Sequence, residues 1–208
     1  VLAFDKLDEW AGILAEIDAA CIAQGVPAGA ATAEYGGAQF EVNLAHLDDP
    51  VLACDHALML RRIVKGAAAR HGLDATFMSK PFAEQSGSGL HIHASLIDAA
   101  GRNVFDETTP DGDRMLGHAI AGLQATTYDA MGFFAPNINA YRRFAANQFV
   151  PVNTSWGINN RSVSFRVPMG GGRARRIEHR IAGADANPYL VMAAMLAGFH
   201  HGIANKLV

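Results

Sequence analysis

The stretch Gly87-Ser88-Gly89-Leu90-His91-Ile92-His93-Ala94-Ser95-Leu96 sets two imidazoles and a hydroxyl at every second position, directly after a glycine-rich turn. Leu90, Ile92, Ala94 and Leu96 take the intervening positions, so the run reads as a half-buried strand with one packed face and one chemical face. Paired imidazoles beside a glycine turn suit a metal and phosphate site. A polar, solvent-facing strand with incidental histidines is the other reading of this stretch.

Further candidate ligands share the same pattern. Glu34 lies in the first of two short strands expected over Thr32–Leu44, joined across Gly36-Gly37. In the second, Glu41 and Asn43 oppose Phe40, Val42 and Leu44. Acids on otherwise apolar strands call for a partner or a cation unless that face is solvated. Ser162–Val167 alternates again, with Ser164 and Arg166 opposite Val163, Phe165 and Val167. Arg176, Glu178 and Arg180 then share a face opposite Ile177, His179 and Ile181. Glu34, Glu41, His91 and Glu178 together offer hard oxygens with one imidazole, which suits Mg²⁺ or Mn²⁺ better than structural zinc. Arg143, Arg161, Arg166, Arg173, Arg176 and Arg180 are more cations than a bare metal hydrolase needs. Guanidinium forks bind carboxylate and phosphate, so metal plus arginine points to phosphoryl transfer on an anionic substrate.

The elements that must hold these residues can be placed by periodicity. Leu7, Trp10, Ile13, Leu14, Ile17, Ala20 and Cys21 predict an amphipathic helix over Asp5–Gln24, stopped by Gly25. Asp49 and Pro50 open a long helix to about His71, ahead of Gly72; His56 and His71 on it read as surface residues. A strand is expected at Ala75–Met78, a polar loop over Asp98–Asp113, and a helix from about Asp113 to Met131. Asn137–Pro151 shows no period, and Gly170-Gly171-Gly172 gives flexible backbone before Arg173, Arg175 and Arg176. Asn187-Pro188 begins a last helix through about Asn205. The fold class expected is α+β, a curved antiparallel sheet with helices packed on its outer face and the polar set on its inner face.

Composition narrows the partners. A formal charge of −3 over 208 residues argues against nucleic acid, and no apolar run is long enough to span a bilayer. Cys21 and Cys54, both in helical segments, fit buried thiols in a reducing, cytoplasmic compartment. Gly87-Ser88-Gly89 matches neither a Walker loop nor a dinucleotide fingerprint. The opening Val1-Leu2-Ala3-Phe4, without an initiator Met, leads us to expect a piece of a longer protein.

Several blocks, in one order and covering nearly the whole chain, resemble the glutamine synthetase family. They are Glu34-Tyr-Gly-Gly-Ala-Gln-Phe-Glu41-Val-Asn-Leu44, Lys80-Pro81, Gly87 to Ser95, Asn160-Arg161-Ser162 with Arg166-Val167-Pro168, and Arg175 to Arg180 with Asn187-Pro188-Tyr189. The resemblance implies that residues 1–208 are a partial catalytic domain of a ligase. Such an enzyme uses ATP and two divalent ions to make γ-glutamyl phosphate, from which an amine displaces phosphate. By the same resemblance Glu34 and Glu41 hold one ion, and His91 and Glu178 the other. His93 and Ser95 match ATP-contacting positions. Gly87, Arg143, Arg161 and Arg180 match positions around glutamate and the γ-phosphate, with Arg161 and Arg180 in catalytic roles. Arg166, Arg173 and Arg176 fall on the nucleotide side, Arg173 where a lysine is common. A homo-oligomeric ring is implied as well.

Three departures shape the expectation. The family's strand with two closely spaced acidic ligands, and its N-terminal small domain, are not in this sequence. The family's Asn-Gly ahead of the histidine strand is Ser86-Gly87 here. The flap glutamate that helps hold ammonium is Phe149. The last two resemble the glutamate–amine ligase branch, so an organic amine is the expected second substrate and the 208 residues alone are expected to be inactive. Glutamine synthetase proper, using ammonium, is the alternative within the family. A His-x-His metal hydrolase or cupin-like oxygenase, and a non-catalytic member of the family, are the alternatives of other classes.

Overall fold

The computed structural model describes residues 4–145 and 149–208; Val1–Ala3 and residues 146–148 of the segment expected to be irregular lie outside them. The chain divides into two compact units, Val1–Gly87 and Ser88–Val208.

Unit 1 pairs helices with a hairpin. The first predicted helix is two, α1 (Phe4–Glu9) and α2 (Ala11–Ala23), separated at Trp10, whose ring meets Phe40 edge-on at 6.3 Å. Strands β1 (Ala28–Ala33) and β2 (Phe40–Leu44) pair antiparallel, with Thr32 opposite Glu41 and Ala33 opposite Phe40. Helix α3 (Pro50–Arg70) opens as expected: the Asp49 carboxylate accepts the Val51 and Leu52 N–H groups, and Pro50 follows where no N–H is needed. Ile17, Cys21, Val26, Ile63 and Ala67 form this unit's core. Cys21 and Cys54 are buried free thiols, and burial pushes both thiol pKa values up. The strand expected at Ala75–Met78 does not form. Thr76 Oγ1 takes the Met78 N–H at 3.1 Å, which removes a donor that a ladder would need.

Unit 2 is a sheet backed by helices. Strands β3 (Ile92–Ala94), β4 (Trp156–Ile158), β5 (Phe165–Val167) and β6 (Ile177–His179) lie in the order β3-β6-β5-β4. β3–β6 and β5–β6 are antiparallel, whereas β4–β5 is parallel, so the expected antiparallel sheet is mixed at one edge. The described residues hold two separate sheets where one was expected. Helices α4 (Gly112–Thr126), α5 (Met131–Phe134), α6 (Ile138–Tyr141) and α7 (Pro188–Asn205) complete the unit. The helix predicted to reach Met131 stops at Thr126. The Thr126 and Thr127 hydroxyls bond back to the Gly122 and Leu123 carbonyls, which weakens a helix at its end. Asn187 caps α7 ahead of Pro188, repeating the device at Asp49-Pro50.

One face of this sheet is the core. Phe165, Val167, Ile177 and Ile181 pack with Leu116, Ile120 and Leu123 of α4 and Val191, Met195 and Phe199 of α7. Leu90, Ile92, Ala94 and Leu96 pack against the same cluster, as their alternation predicts. Helices α4 and α7 cross on glycine: a Cβ at Gly202 would lie 1.9 Å from the His118 carbonyl oxygen, and one at Gly122 2.1 Å from that of Gly198. Burying one sheet face this firmly commits the alternate residues to the other. No helix among the described residues is long and apolar enough to cross a membrane.

Candidate active site

The register of unit 2 lines up the chemistry. His93 pairs with Glu178 across β3–β6, and Arg166 pairs with Glu178 across β5–β6, so the three side chains stand in a row on the face opposite the core. Glu178 is 2 % exposed. Its Oε1 accepts from Arg180 Nη1 at 2.5 Å and its Oε2 from Arg166 Nη1 at 2.8 Å. His91 Nδ1 lies 3.5 Å and His93 Nε2 3.9 Å from Glu178 Oε1. Burial acts to raise the Glu178 pKa, but Arg180 and Arg166 overcome it and hold the carboxyl below its ordinary range.

The surroundings of both site histidines favour the neutral imidazole. Burial, then Arg180 and Arg143, push the His91 pKa well below its ordinary value. Burial also lowers His93; Glu178 opposes this, while Arg176, Arg166 and Arg180 add to it. Arg176 Nε donates to His93 Nδ1 at 3.1 Å, and since guanidinium can only donate, the imidazole proton belongs on Nε2, towards Glu178. Arg166 forks, its Nη2 donating to Asn159 Oδ1 at 2.8 Å, and Asn159 itself sits in the left-handed region at φ +49°.

Arg143 enters the cluster from another loop. It is 4 % exposed, donates to the Ile181 carbonyl at 2.7 Å and the Arg180 carbonyl at 3.1 Å, and burial lowers its pKa to about 10. A Cβ on residue 89 would lie 2.6 Å from Arg143 Nη2 and 3.0 Å from His91 Nε2, so Gly89 is what admits the guanidinium beside the histidine. Phe149, at φ +52° and 55 % exposed, offers its carbonyl oxygen to Arg180 Nη2 at 3.4 Å. A bulky residue held left-handed is strained, and such strain collects at functional sites.

The remaining candidates separate by unit. Ser95 follows β3 half-buried, and Arg173 is exposed on the 3₁₀ turn Gly172–Ala174. Arg161 is exposed in the turn between β4 and β5 and joins none of the ion pairs among the described residues. In unit 1, Glu34 falls just beyond β1 rather than within it, its N–H donating to the Gln39 carbonyl at 2.8 Å. Glu41 is exposed on β2 and accepts from Asn43 Nδ2 at 3.0 Å. The Thr32–Glu41 pairing puts Glu34 and Glu41 on one face of the hairpin. The Gly87 carbonyl accepts from Gln39 Nε2 at 3.0 Å.

Sequence reasoning passed over two residues of this neighbourhood. His179 is fully buried behind Glu178, between the Phe134 ring at 4.4 Å and the Phe165 ring at 5.7 Å, with neither ring nitrogen hydrogen-bonded. Alternation put it on the apolar face, and its type alone did not say it would go unpartnered. Asn159 could have been found from the Asn159-Asn160 pair, because asparagine tolerates the left-handed turn that aims its amide at Arg166.

The donor set fits a divalent cation in part. Two ligands of one Mg²⁺, each about 2.1 Å from it, sit roughly 3–4 Å apart, and neutral His91 and ionised Glu178 meet that spacing. No group of three or more His, Cys, Asp or Glu side chains that could hold a metal ion occurs among the described residues.

The profile of the family "Glutamine synthetase, catalytic domain" matches residues 1–208. The chain is 45 % identical over 207 residues to the γ-glutamylputrescine synthetase of Escherichia coli, covering all of this chain and 44 % of that protein. It is 43 % identical over 185 residues to a glutamate–isopropylamine ligase of a Pseudomonas species, covering 88 % of this chain and 40 % of that protein. Among solved structures, an ADP complex of GmaS superposes with a TM-score of 0.88 at 32 % identity, over 99 % of this chain and 48 % of that one. The chain thus spans less than half the length of each of these relatives.

Proposed function

The chain belongs to the glutamine synthetase family, and from that premise we propose that its parent protein is an ATP-dependent ligase joining an organic amine to the γ-carboxylate of glutamate. One observation carries the reading: a buried carboxylate, Glu178, held on one sheet face between two arginines and two histidines. Chemistry that moves a phosphoryl group between oxygens consists mainly of placing and neutralising charge, and this face is built for that.

In this reading His91 and Glu178 hold one divalent cation, Mg²⁺ or Mn²⁺, and Glu34 and Glu41 hold a second. Bound cations would neutralise phosphate oxygens and make the transferring group a better electrophile. The chain's own residues do the rest. Arg180 and Arg143 bind and orient the glutamate carboxylates with Arg161 and the Gly87 backbone, and Arg161 and Arg180 stabilise charge on the transferring phosphoryl group. His93, Ser95, Arg166, Arg173 and Arg176 take the nucleotide. Residues 1–208 form part of the catalytic domain, inactive alone. The full protein is a homo-oligomer, a ring in the family's manner. The cytoplasm suits the two buried free thiols.

The amine is read from Phe149. Ammonium needs a carboxylate near it when desolvated, at a cost of several kcal/mol if none is present. A half-exposed ring tied to Arg180 through its own carbonyl offers instead apolar contact and a cation–π attraction of about 0.5–2 kcal/mol to a longer amine. The relatives act, by their names, on putrescine and isopropylamine, which supports this choice. The test is phosphate release by the full-length protein with ammonium, putrescine, ethanolamine and monoalkylamines. An organic amine should give the highest kcat/KM, and Phe149→Glu should move preference towards ammonium. Highest kcat/KM with ammonium would make the protein a glutamine synthetase proper.

A further inference from the structure

The loop Gly170–Arg176 carries two of the cations assigned to the nucleotide, yet its own sequence gives it little order. Gly170 and Gly172 hold φ of +114° and +57°, and the only regular structure is the single turn Gly172–Ala174. Three successive glycines lose more conformational freedom on ordering than any other backbone. Even so, Arg176 reaches His93 with a 3.1 Å hydrogen bond.

The order is imposed from the loop after β3. Asn103, 4 % exposed, aims its Nδ2 at three carbonyls of the arginine loop: Gly172 at 3.2 Å, Arg173 at 3.2 Å and Arg175 at 2.7 Å. Its Oδ1 accepts the Phe105 N–H at 3.0 Å, which fixes the amide so that the NH₂ end faces the loop. Glu107 adds a second hold by accepting the Gly172 N–H at 3.0 and 3.1 Å. Arg175 is used up as an anchor: it donates to the Phe105 carbonyl at 3.1 Å and pairs with Asp113 at 2.6 Å. That leaves Arg173 exposed and Arg176 on His93.

We propose that Asn103 is a positioning residue for the nucleotide side of the site, holding the arginine loop so that Arg173 and Arg176 are presented together to a polyphosphate. The inference rests on the reading of this loop as facing ATP. Asn103→Asp in the full-length protein keeps the size and the acceptor for Phe105 but removes the donor to the three carbonyls. Hydrogen exchange at residues 171–176 should rise roughly tenfold or more, with β6 unchanged. The KM for ATP should rise roughly tenfold while the KM for glutamate stays within about twofold, a split that general loss of structure would not give. Glu107→Ala, at a side chain 39 % exposed, loosens the same loop without touching the core and should move both readouts the same way by a smaller factor. It serves in place of Asn103→Asp if that variant does not fold. Unchanged exchange in both variants overturns the proposal. So does an unchanged KM for ATP where Arg176→Ala raises it. If Arg176→Ala leaves the KM for ATP unchanged as well, the nucleotide reading of the loop fails together with the proposal.

Discussion

Glu41 on the β1–β2 hairpin and Glu178 on β6 come from the same kind of sequence, an acid on an alternating strand whose other face is packed. Their surroundings differ completely. Glu41 is exposed and takes a hydrogen bond from Asn43, whereas Glu178 is 2 % exposed under Arg166 and Arg180. Among the described residues the hairpin strands β1 and β2 pair only with each other, so one face of them is free to be wet. Strand β6 is central in its sheet and backed by Phe165, Ile177 and Phe199, so its acid needs counter-charges supplied by the fold. The same residue type therefore serves two purposes: a carboxylate whose charge is already compensated, and one whose charge is open to solvent or a cation.

The largest effect that can break this comparison is loss of the Glu178 charge. Glu178→Ala leaves Arg180 and Arg166 with side chains 7 % and 15 % exposed and no carboxylate between them. Removing one partner of a buried pair costs about 3–5 kcal/mol, whereas Glu41→Ala should cost within about 0.5 kcal/mol. Urea unfolding of the two variants measures the contrast. Equal midpoints would mean that the arginines do not depend on Glu178. The sign with pH follows: a carboxyl held below its ordinary range contributes stability above the unfolded pKa, and that stability is lost as pH falls through the folded one.

A smaller effect sharpens the comparison from behind the sheet. Burial, with Arg143 adding to it, depresses the His179 pKa to about 3, so this histidine folds neutral. Between the unfolded value near 6.5 and about 3, the unfolded chain binds a proton that the native chain does not, so stability falls as pH falls. The slope is about 1.4 kcal/mol per pH unit, or about 2 kcal/mol by pH 5. His91 and His93 act in the same direction. His179→Leu should remove one proton's share of that slope, read from urea midpoints between pH 6.5 and 4.5. An unchanged slope would mean that His179 takes up its proton in the native state.

How much of this was legible follows from what each signal measures. Alternation at Leu90–Leu96 and Arg176–Ile181 was enough to put His91, His93 and Glu178 on one face, because a packed opposite face admits no slip of register. Asp49-Pro50 and Asn187-Pro188 announced helix starts because their chemistry is local. The split at Trp10, the absent strand at Ala75–Met78 and the parallel β4–β5 pair depend on contacts or competing bonds that no short window contains. The glycine crossing of α4 on α7 is of the same kind: Gly122 and Gly202 look like ordinary helix interruptions until the helices meet. Arg143 was singled out as a candidate, but that two backbone carbonyls would hold its guanidinium could be learned only from the fold.

The smallest effect on stability decides what the hairpin carboxylates, exposed Glu41 and half-buried Glu34, are for. Glu41→Gln keeps the size of the side chain and an oxygen for Asn43, and removes only the charge. On an exposed strand face that change should alter unfolding by no more than about 0.5 kcal/mol. If the face exists to hold a hard cation, the same change should weaken Mn²⁺ binding by the full-length protein roughly tenfold, because a neutral amide replaces a carboxylate in a small set of oxygen donors. Glu34→Gln, on the same face of the hairpin, should do likewise, and the double variant should lose little beyond either single one, since the two act on one ion. A Mn²⁺ titration followed by electron paramagnetic resonance reads the free ion directly. Undiminished affinity in both variants would make the hairpin face a solvated strand surface, and Glu41 would then owe its exposure to the two-stranded hairpin it sits on rather than to a metal.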